Sequence, residues 1–204
     1  MENKCVIAID YGTQSVRVSI IDDRGKFLAF EQERYNKPYF SPKPGYCEQD
    51  PNFYYDNMCK AAKRLSEKHP DLMKKVVSIS STCFRDTAVY LDKDFNIVRP
   101  SIIWLDQRQA DLKRKLPWWQ SVAFWFVNMT KTVNLNRKRT PAIWLQENEP
   151  ENWKKIKHYV PLNAYFNYRM LGVLKDSASN MIGHYPLNFR KGKWYKKSAL
   201  KGEL

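Results

Sequence analysis

The sequence is poor in the residues that build metal clusters and disulfide frameworks. It contains four cysteines and three histidines among 204 residues, and no two cysteines form a C-x-x-C pair. Scattered thiols without clustered histidines argue against a structural zinc site and against a secreted domain stapled by disulfides. Free thiols are typical of a reducing compartment, so we expect a cytoplasmic protein.

Long apolar runs are also missing from the sequence. The charged N-terminus leads into only a short apolar stretch before Asp10, so we expect no signal peptide. The apolar segment at residues 122–127 is far too short to cross a bilayer. We therefore expect no membrane partner.

Acidic residues are outnumbered, with 21 Asp and Glu against 35 Lys and Arg, for a net charge of +14. Such a balance is typical of proteins that bind nucleic acid or anionic membranes. Here the basic residues are spread along the chain and mixed with acidic ones, and the densest stretches lie at residues 113–115, 137–139 and 190–201. None is as long as a basic arm, so we interpret them as solvated faces and expect no nucleic-acid partner.

The most informative segment lies near the N-terminus, where an apolar strand ends at Asp10 and a turn with Gly12, Thr13 and Ser15 leads into a second strand. Phosphate oxygens need several converging N–H donors, and a glycine lets the backbone approach them closely. A carboxylate at a strand end can hold Mg²⁺ directly or through water. The alternative interpretation is a simple β-hairpin with an Asx-type turn.

The remaining pattern predicts a mixed α/β domain. Three apolar strands joined by tight turns form an antiparallel meander, unlike a Rossmann unit, in which a helix would follow the glycine turn. Asp50 and Pro51 predict a helix start. The predicted strands span residues 5–9, 16–21, 26–33, 76–80 (buried), 87–91, 97–98 and 157–160, and helical segments span 110–134, 141–148 and 163–171.

Two later segments carry polar side chains suited to a sugar. Arg85, Asp86 and Thr87 follow the predicted strand at 76–80 and can hydrogen-bond hydroxyls, although a surface salt bridge is the alternative. Trp104 can stack on a sugar ring, while Asp106 and Arg108 can grip hydroxyls or each other. The alternative there is a core tryptophan followed by an N-cap aspartate. The aromatic patch at residues 118–126 predicts core packing or a protein interface, or else a nucleic-acid stacking platform.

Taken in order, these segments resemble the N-terminal domain of the FGGY family of carbohydrate kinases. The opening turn matches the family's D-x-G-T-x-S-x-R pattern, and the segment before the first helix matches E-Q-D-P. The similarity extends over nearly the whole chain. The matching segments are residues 10–17, 45–51, 85–87, 99–108 (R-P-S-I-I-W-L-D-Q-R), 144–151 and 171–177.

The resemblance implies an actin-like (ribonuclease H-like) α/β fold, with a mixed β-sheet flanked by helices. It also implies transfer of the γ-phosphoryl group of ATP to a sugar or polyol hydroxyl, with Mg²⁺ as the metal. The implied sites are Asp10 for the metal; Gly12, Thr13, Gln14, Ser15 and Arg17 for the nucleotide phosphates; and Arg85, Asp86, Trp104 and Asp106 for the sugar.

The sequence departs from the family in one important respect. The family's catalytic base is an aspartate that ends a Gly-rich segment near the second domain, and no such segment occurs up to Leu204. We therefore expect residues 1–204 to be an incomplete N-terminal kinase domain, inactive alone, whose partner is a second, nucleotide-binding domain. Such a domain would expose apolar surface and self-associate. In addition, Asn136 stands where glycerol kinases carry a substrate-contacting tyrosine, which argues against glycerol itself.

Two other functions remain open at this stage. The chain can be a sugar-binding domain without catalysis, since Arg85, Asp86 and Trp104 are present while the base is missing. It can also be a nucleic-acid enzyme on the same ribonuclease H-like fold. That chemistry needs several carboxylates converging on two metal ions, and Asp10 has no obvious companions in the predicted strands.

Overall fold

The computed structural model describes residues 4–181, 185 and 187–195, as a mixed α/β structure. The strands are β1 (Cys5–Tyr11), β2 (Ser15–Asp22), β3 (Phe27–Arg34), β4 (Glu48–Gln49), β5 (Val76–Cys83), β6 (Ala88–Leu91), β7 (Ile97–Arg99), β8 (Ser101–Ile102), β9 (His158–Pro161), β10 (Leu187–Asn188) and β11 (Lys193–Trp194). The helices are α1 (Pro51–Lys68), α2 (Pro70–Met73), α3 (Trp118–Phe126), α4 (Thr130–Arg139), α5 (Pro141–Asn148), α6 (Pro150–Lys155) and α7 (Leu162–Leu171), with a 3₁₀ turn at Ala178–Met181.

The main sheet has the strand order β3-β2-β1-β5. Strand β2 runs antiparallel to both β1 and β3, whereas β5 runs parallel to β1. The β2–β3 turn closes because the Asp22 carboxylate accepts the N–H groups of Arg24 and Lys26, and Gly25 takes the positive φ of +81° that the turn requires. The predicted meander and mixed sheet are therefore confirmed.

The core lies between this sheet and helix α1. Asp50 caps the helix by accepting the N–H of Asn52 at 2.8 Å, as the Asp-Pro pair predicts. The buried face of α1 includes Met58 and Leu65, which pack in one cluster with Val18 of β2. Fully burying a side chain of this size contributes about 1.5–3 kcal/mol, so this helix-on-sheet contact is a major source of stability.

A second, smaller sheet has the order β7-β6-β9, and a two-stranded ladder pairs β4 with β8. Every residue of β6 is buried, which fixes the loops on either side of it. Helix α7 follows β9 directly, and its Phe166 stacks on Tyr11 of the main sheet with ring centroids 4.0 Å apart. The two sheets are thus joined through α7.

Two predictions about particular elements were wrong, and two short helices were missed. Residues 76–80 belong to a strand, but Val77 and Ile79 are 61% and 58% exposed, because β5 is an edge strand of the described sheet. Residues 110–117 form no regular element, so the predicted helical segment 110–134 is limited to α3 and the start of α4. The short helices α2 and α6 were not predicted; each begins with a proline in its first turn.

The aromatic patch at residues 118–126 lies outside the core. Trp118, Trp125 and Phe126 are 77%, 69% and 75% exposed, so the core interpretation is wrong for the described chain. Among the described residues, no helix combines the length and the apolar character needed to cross a membrane.

The exposed edge of β5 leads to a prediction about self-association. Replacing Val77 and Ile79 together by threonine keeps β-branched side chains but removes exposed apolar surface. We expect the double variant to be less self-associated than the unchanged chain in sedimentation-velocity runs over a concentration series. The Ser78→Thr variant, at an exposed position of the same strand, is the control; unchanged association of the double variant would exclude β5 as the contact.

Candidate functional site

Two loops with predicted site residues follow the carboxyl ends of strands β1 and β5, at the same end of the main sheet. Strands β1 and β5 run parallel, with Asp10 opposite Thr82 and Tyr11 opposite Cys83. The Phe84 N–H then donates to the Tyr11 carbonyl at 3.2 Å, which holds the two strand exits together. Ligands of open α/β sheets bind beyond the carboxyl ends of such strands. The phosphate turn between β1 and β2 and the loop that carries Arg85 both start there.

The turn between β1 and β2 has unused backbone donors. Its closing bond runs from the Gly12 N–H to the Ser15 carbonyl at 2.9 Å, and a Cβ on Gly12 would lie only 3.0 Å from that oxygen. Within the described part of the chain, the N–H groups of Thr13 and Gln14 have no hydrogen-bond acceptor. These two amides remain able to bind an anion.

Ser15 differs from the other residues of the turn in being buried. It is 8% exposed, and its hydroxyl accepts the side-chain amide of Gln32 at 2.8 Å. This bond ties the turn to β3. Direct contact between Ser15 and a phosphate stays a prediction, whereas its contact with Gln32 gives it a role in shaping the turn.

Asp10 and Arg17 face each other across β1 and β2. Arg17 Nη1 lies 3.2 Å from Asp10 Oδ2, and the side chains are 55% and 50% exposed. An exposed pair of this kind contributes little to stability, so Asp10 can exchange Arg17 for a cation. No group of three His, Cys, Asp or Glu that could hold a metal ion is found among the described residues. A single carboxylate suits Mg²⁺, which usually keeps waters and phosphate oxygens as its other ligands.

Trp104 connects the phosphate turn with the predicted sugar-binding segments. Its indole Nε1–H donates to the Thr13 hydroxyl at 3.0 Å, and its backbone N–H donates to the Thr87 hydroxyl at 3.2 Å. Half of the Trp104 side chain remains exposed. A face of the ring is therefore available to a ligand while the edge is fixed by hydrogen bonds.

The loop before β6 has an unusual backbone conformation. Arg85 and Asp86 are exposed, and Asp86 has a φ of +63°, which non-glycine residues seldom adopt. Such conformations persist only where the surroundings hold them, and they are common at binding sites. The loop lines a water-sized cavity of about 20 Å³ together with Asn163.

Polar contacts behind this loop support it. The Asn163 side chain accepts the Ser81 hydroxyl at 3.0 Å and donates to Asp176 Oδ1 at 2.8 Å. Burial, together with the nearby charge of Asp176, raises the pKa of the Cys83 thiol to about 12, so this thiol stays protonated at neutral pH. Cys83 is therefore a packing residue of the cavity wall.

An open cleft of about 910 Å³ lies beside Trp104. Its volume is near the upper end of the roughly 300–1,000 Å³ that small-molecule sites have. The lining includes Asp86, Thr87 and residues 102–109, together with Asn136, Lys138, Arg139, Thr140, Pro141, Trp144, Tyr159 and Tyr185. The predicted Asp86, Trp104 and Asp106 thus share one cleft, while Arg85 lines the adjoining small cavity.

Asp106 lies at the cleft, but its carboxylate is occupied by the protein. The side chain is 4% exposed; Oδ1 accepts Arg108 Nε at 2.8 Å, and Oδ2 accepts the Cys47 N–H at 2.6 Å. The sequence allowed Asp106 and Arg108 to bind either ligand hydroxyls or each other, and the geometry favours an ion pair between them. The predicted direct contact of Asp106 with sugar stays a prediction, and a role in positioning the Trp104 loop fits this geometry better.

Arg108 is the centre of a buried ion cluster beneath the cleft. Its guanidinium lies 3.8 Å from the Tyr46 ring centroid and 4.6 Å from that of Trp144, while Nη2 donates to Glu48 at 2.7 Å. The same Glu48 oxygen accepts Arg99 Nη2 at 2.6 Å. Burial acts to lower the pKa of Arg108, but the hydrogen bonds and charges of Asp106 and Glu48 outweigh burial, so the pKa is raised. The cluster ties β4, β7 and the cleft loop into one unit.

Comparisons with known proteins identify the family of this chain. A model of the N-terminal domain of the FGGY family of carbohydrate kinases matches residues 5–201. The xylulose kinase of Bacillus subtilis (strain 168) is 28% identical over 192 residues, which is 94% of this chain, and that of Lactococcus lactis subsp. lactis (strain IL1403) is 27% identical over 190 residues, 93% of this chain. The chain spans 38% and 37% of the lengths of these two relatives.

The fold has close counterparts among solved structures. The crystal structure of xylulose kinase from Rhodospirillum rubrum superposes with a TM-score of 0.76 at 19% identity, covering 98% of this chain and 42% of that one. The predicted actin-like α/β fold, a mixed sheet flanked by helices, is thereby confirmed.

The buried cluster leads to a prediction about stability. Arg108→Ala would leave the buried carboxylates of Asp106 and Glu48 without their shared partner, and we expect the free energy of unfolding to fall by about 3–5 kcal/mol. Arg108→Lys should recover only part of this loss, because an ammonium cannot make the bidentate, stacked contact. Urea unfolding followed by circular dichroism measures both changes.

The exposed Lys115 supplies the control for this experiment. Lys115→Ala removes the same charge from the surface and should change the unfolding free energy by no more than about 0.5 kcal/mol. Equal effects of Arg108→Ala and Lys115→Ala would contradict a structural role for the cluster.

Proposed function

We propose that this chain, which belongs to the FGGY family of carbohydrate kinases, forms the phosphate-binding and sugar-binding part of an ATP-dependent kinase acting on a sugar or polyol hydroxyl. The observation that carries this proposal is the double contact of Trp104. Its indole N–H donates to the Thr13 hydroxyl and its backbone N–H donates to the Thr87 hydroxyl, so this one residue joins the phosphate turn and the sugar cleft. A kinase needs this adjacency, since phosphoryl transfer depends mainly on positioning and charge stabilisation.

On the phosphate side, the unused N–H groups of Thr13 and Gln14 would donate to nucleotide phosphate oxygens. Gly12 permits the close approach, and Arg17, once released from Asp10, adds a positive charge beside them. Asp10 would hold Mg²⁺ directly or through water, and the bound metal would neutralise charge on the phosphates. Ser15 would keep the turn in shape through its bond to Gln32.

On the sugar side, Arg85 and Asp86 would hydrogen-bond hydroxyl groups, and the exposed face of Trp104 would pack on the apolar face of the sugar. Asp86 has a backbone φ of +63°, a conformation that persists only where the surroundings hold it, which supports a loop that is already shaped before a ligand arrives. Asp106 would act through the loop that it pins to Arg108 and Cys47.

We further propose that residues 1–204 act as an N-terminal kinase domain together with a second domain that completes the nucleotide site and supplies the catalytic base. The support is that the chain spans only 38% of the Bacillus subtilis xylulose kinase, and that its sequence has no Gly-rich segment ending in the family's aspartate. The four cysteines are free thiols in the structure, which agrees with a reducing cytoplasm.

The proposed function leads to a prediction about catalysis by the chain alone. We expect no sugar-dependent release of ADP from ATP and Mg²⁺ across a panel of pentuloses, hexuloses and polyols, because the proposed base is not among these residues. A coupled ADP assay measures this, with a full-length xylulose kinase as positive control. Sugar-dependent ADP release that Asp10→Ala abolishes would show that the chain is catalytically sufficient.

The second prediction concerns sugar binding by Trp104. Isothermal titration calorimetry of the chain with the same panel should give at least one ligand. Its affinity should fall roughly tenfold in Trp104→Ala, which corresponds to about 1.4 kcal/mol, because the apolar contact between the ring and the sugar is lost. Trp104→Phe keeps a stacking face but loses the bond to Thr13, so its affinity should lie within about threefold of the unchanged chain. Equal affinities for all three proteins would remove Trp104 from the sugar site.

A further inference from the structure

Helix α3 exposes its apolar face and buries a polar residue. At about 3.6 residues per turn, five apolar side chains of the helix fall within an arc of about 120°. All five are exposed: Trp118, Trp119, Val122, Trp125 and Phe126. Gln120, on the opposite side, is fully buried, and neither Nε2 nor Oε1 of its side chain has a hydrogen-bond partner among the residues that the structure describes. Surface helices normally show the reverse pattern, and exposed apolar surface of this kind marks interaction sites.

The sequence around α3 is basic and contains no acidic residue. Residues 112–146 include seven Lys and Arg but no Asp or Glu. Six of the seven are exposed, namely Lys113, Arg114, Lys115, Lys131, Lys138 and Arg139. Lys115 is three residues before the first residue of α3 and Lys131 five residues after its last, so positive charge lies close to both ends of the helix. This pattern favours a partner that combines negative charge with an apolar layer.

A membrane that contains anionic lipids has both properties. Indole rings are enriched at the level of the headgroups, where their apolar body and polar N–H both find suitable surroundings. Lys and Arg beside such rings are attracted to anionic headgroups. The expectation of no membrane partner rested on the length needed to cross a bilayer. A helix that lies in the plane of the interface does not need that length.

Two other kinds of partner fit the arc less well. Protein interfaces include hydrogen bonds at regular intervals, whereas the polar side-chain groups of the arc are limited to three indole N–H groups. Single-stranded nucleic acids bind where stacking rings lie in a positively charged groove, and α3 itself contains no Lys or Arg. The observations therefore favour a lipid surface.

We propose that α3 and its basic flanks form a peripheral binding surface for membranes that contain anionic phospholipids. The five apolar side chains of the arc enter the boundary between headgroups and acyl chains, while Lys113, Lys115 and Lys131 contact lipid phosphates. Helix α4 follows α3 after three residues, and its last turn borders the cleft. Membrane binding would thus hold the cleft close to the bilayer.

Vesicle flotation of the 204-residue chain tests this proposal. We expect at least tenfold tighter binding to vesicles of equal parts phosphatidylglycerol and phosphatidylcholine than to pure phosphatidylcholine, and weaker binding as salt is added. Replacing Trp118→Ser and Trp125→Ser together should lower the affinity for acidic vesicles roughly tenfold or more, because two exposed rings are lost. Replacing Lys113→Gln, Lys115→Gln and Lys131→Gln together should have an effect of similar size.

Each variant has a matched control outside residues 112–146. Phe27→Thr with Phe30→Thr removes two exposed rings from β3. Lys26→Gln with Lys75→Gln and Lys175→Gln removes three exposed positive charges. Both controls should leave vesicle binding unchanged, and circular dichroism should show that all four proteins are folded. A loss in a control as large as in its matched variant would assign binding to general hydrophobicity or net charge and overturn the proposal.

The remaining outcomes identify the rival partners. Absence of flotation, or equal binding to acidic and neutral vesicles, would overturn the proposal. If the Trp118→Ser, Trp125→Ser variant instead abolished self-association in sedimentation velocity, α3 would be a contact between copies of the chain. If it abolished a gel shift with oligouridylate, α3 would be a stacking platform for nucleic acid. None of these results depends on sugar binding, so the kinase proposal is tested separately.

Discussion

The architecture of the cleft depends on the buried guanidinium of Arg108. It contacts the rings of Tyr46 and Trp144. It also donates to the carboxylate of Asp106, two residues before it, and to that of Glu48, 60 residues before it. Buried ions are stable only when they are paired and hydrogen-bonded, so each partner restricts where the others can lie. The loop that carries Trp104 is thereby held against the second sheet, and Trp104 is in turn held against the phosphate turn.

The meander and the first helix could be predicted from the sequence because their signals are local. Tight turns such as Asp22–Gly25 and the cap formed by Asp50 involve residues two to four positions apart. The ordered motifs also led to the family, and hence to the fold. These parts of the structure are specified by short segments whose preferences agree with the final arrangement.

The parts that could not be predicted depend on distant partners. The bond between Trp104 and Thr13 joins residues 91 positions apart, and that between Arg108 and Glu48 joins residues 60 apart. The sequence allowed Asp106 and Arg108 to bind either a ligand or each other, and only the position of Tyr46, Trp144 and Glu48 favours the second choice. The predicted burial of β5 was wrong because burial depends on which elements lie beside a strand, and the sequence does not show that β5 is at the edge of the described sheet.

The residues that line the cleft differ in how freely they can be replaced. Asp106, Arg108 and Trp144 belong to the buried ion cluster, so most substitutions among them would destabilise the fold before they could alter binding. Lys138 and Arg139 lie in the exposed last turn of α4, where side chains can be exchanged with little effect on packing. The chemistry of the cleft can therefore change at that turn while the ion cluster and the phosphate turn stay as they are.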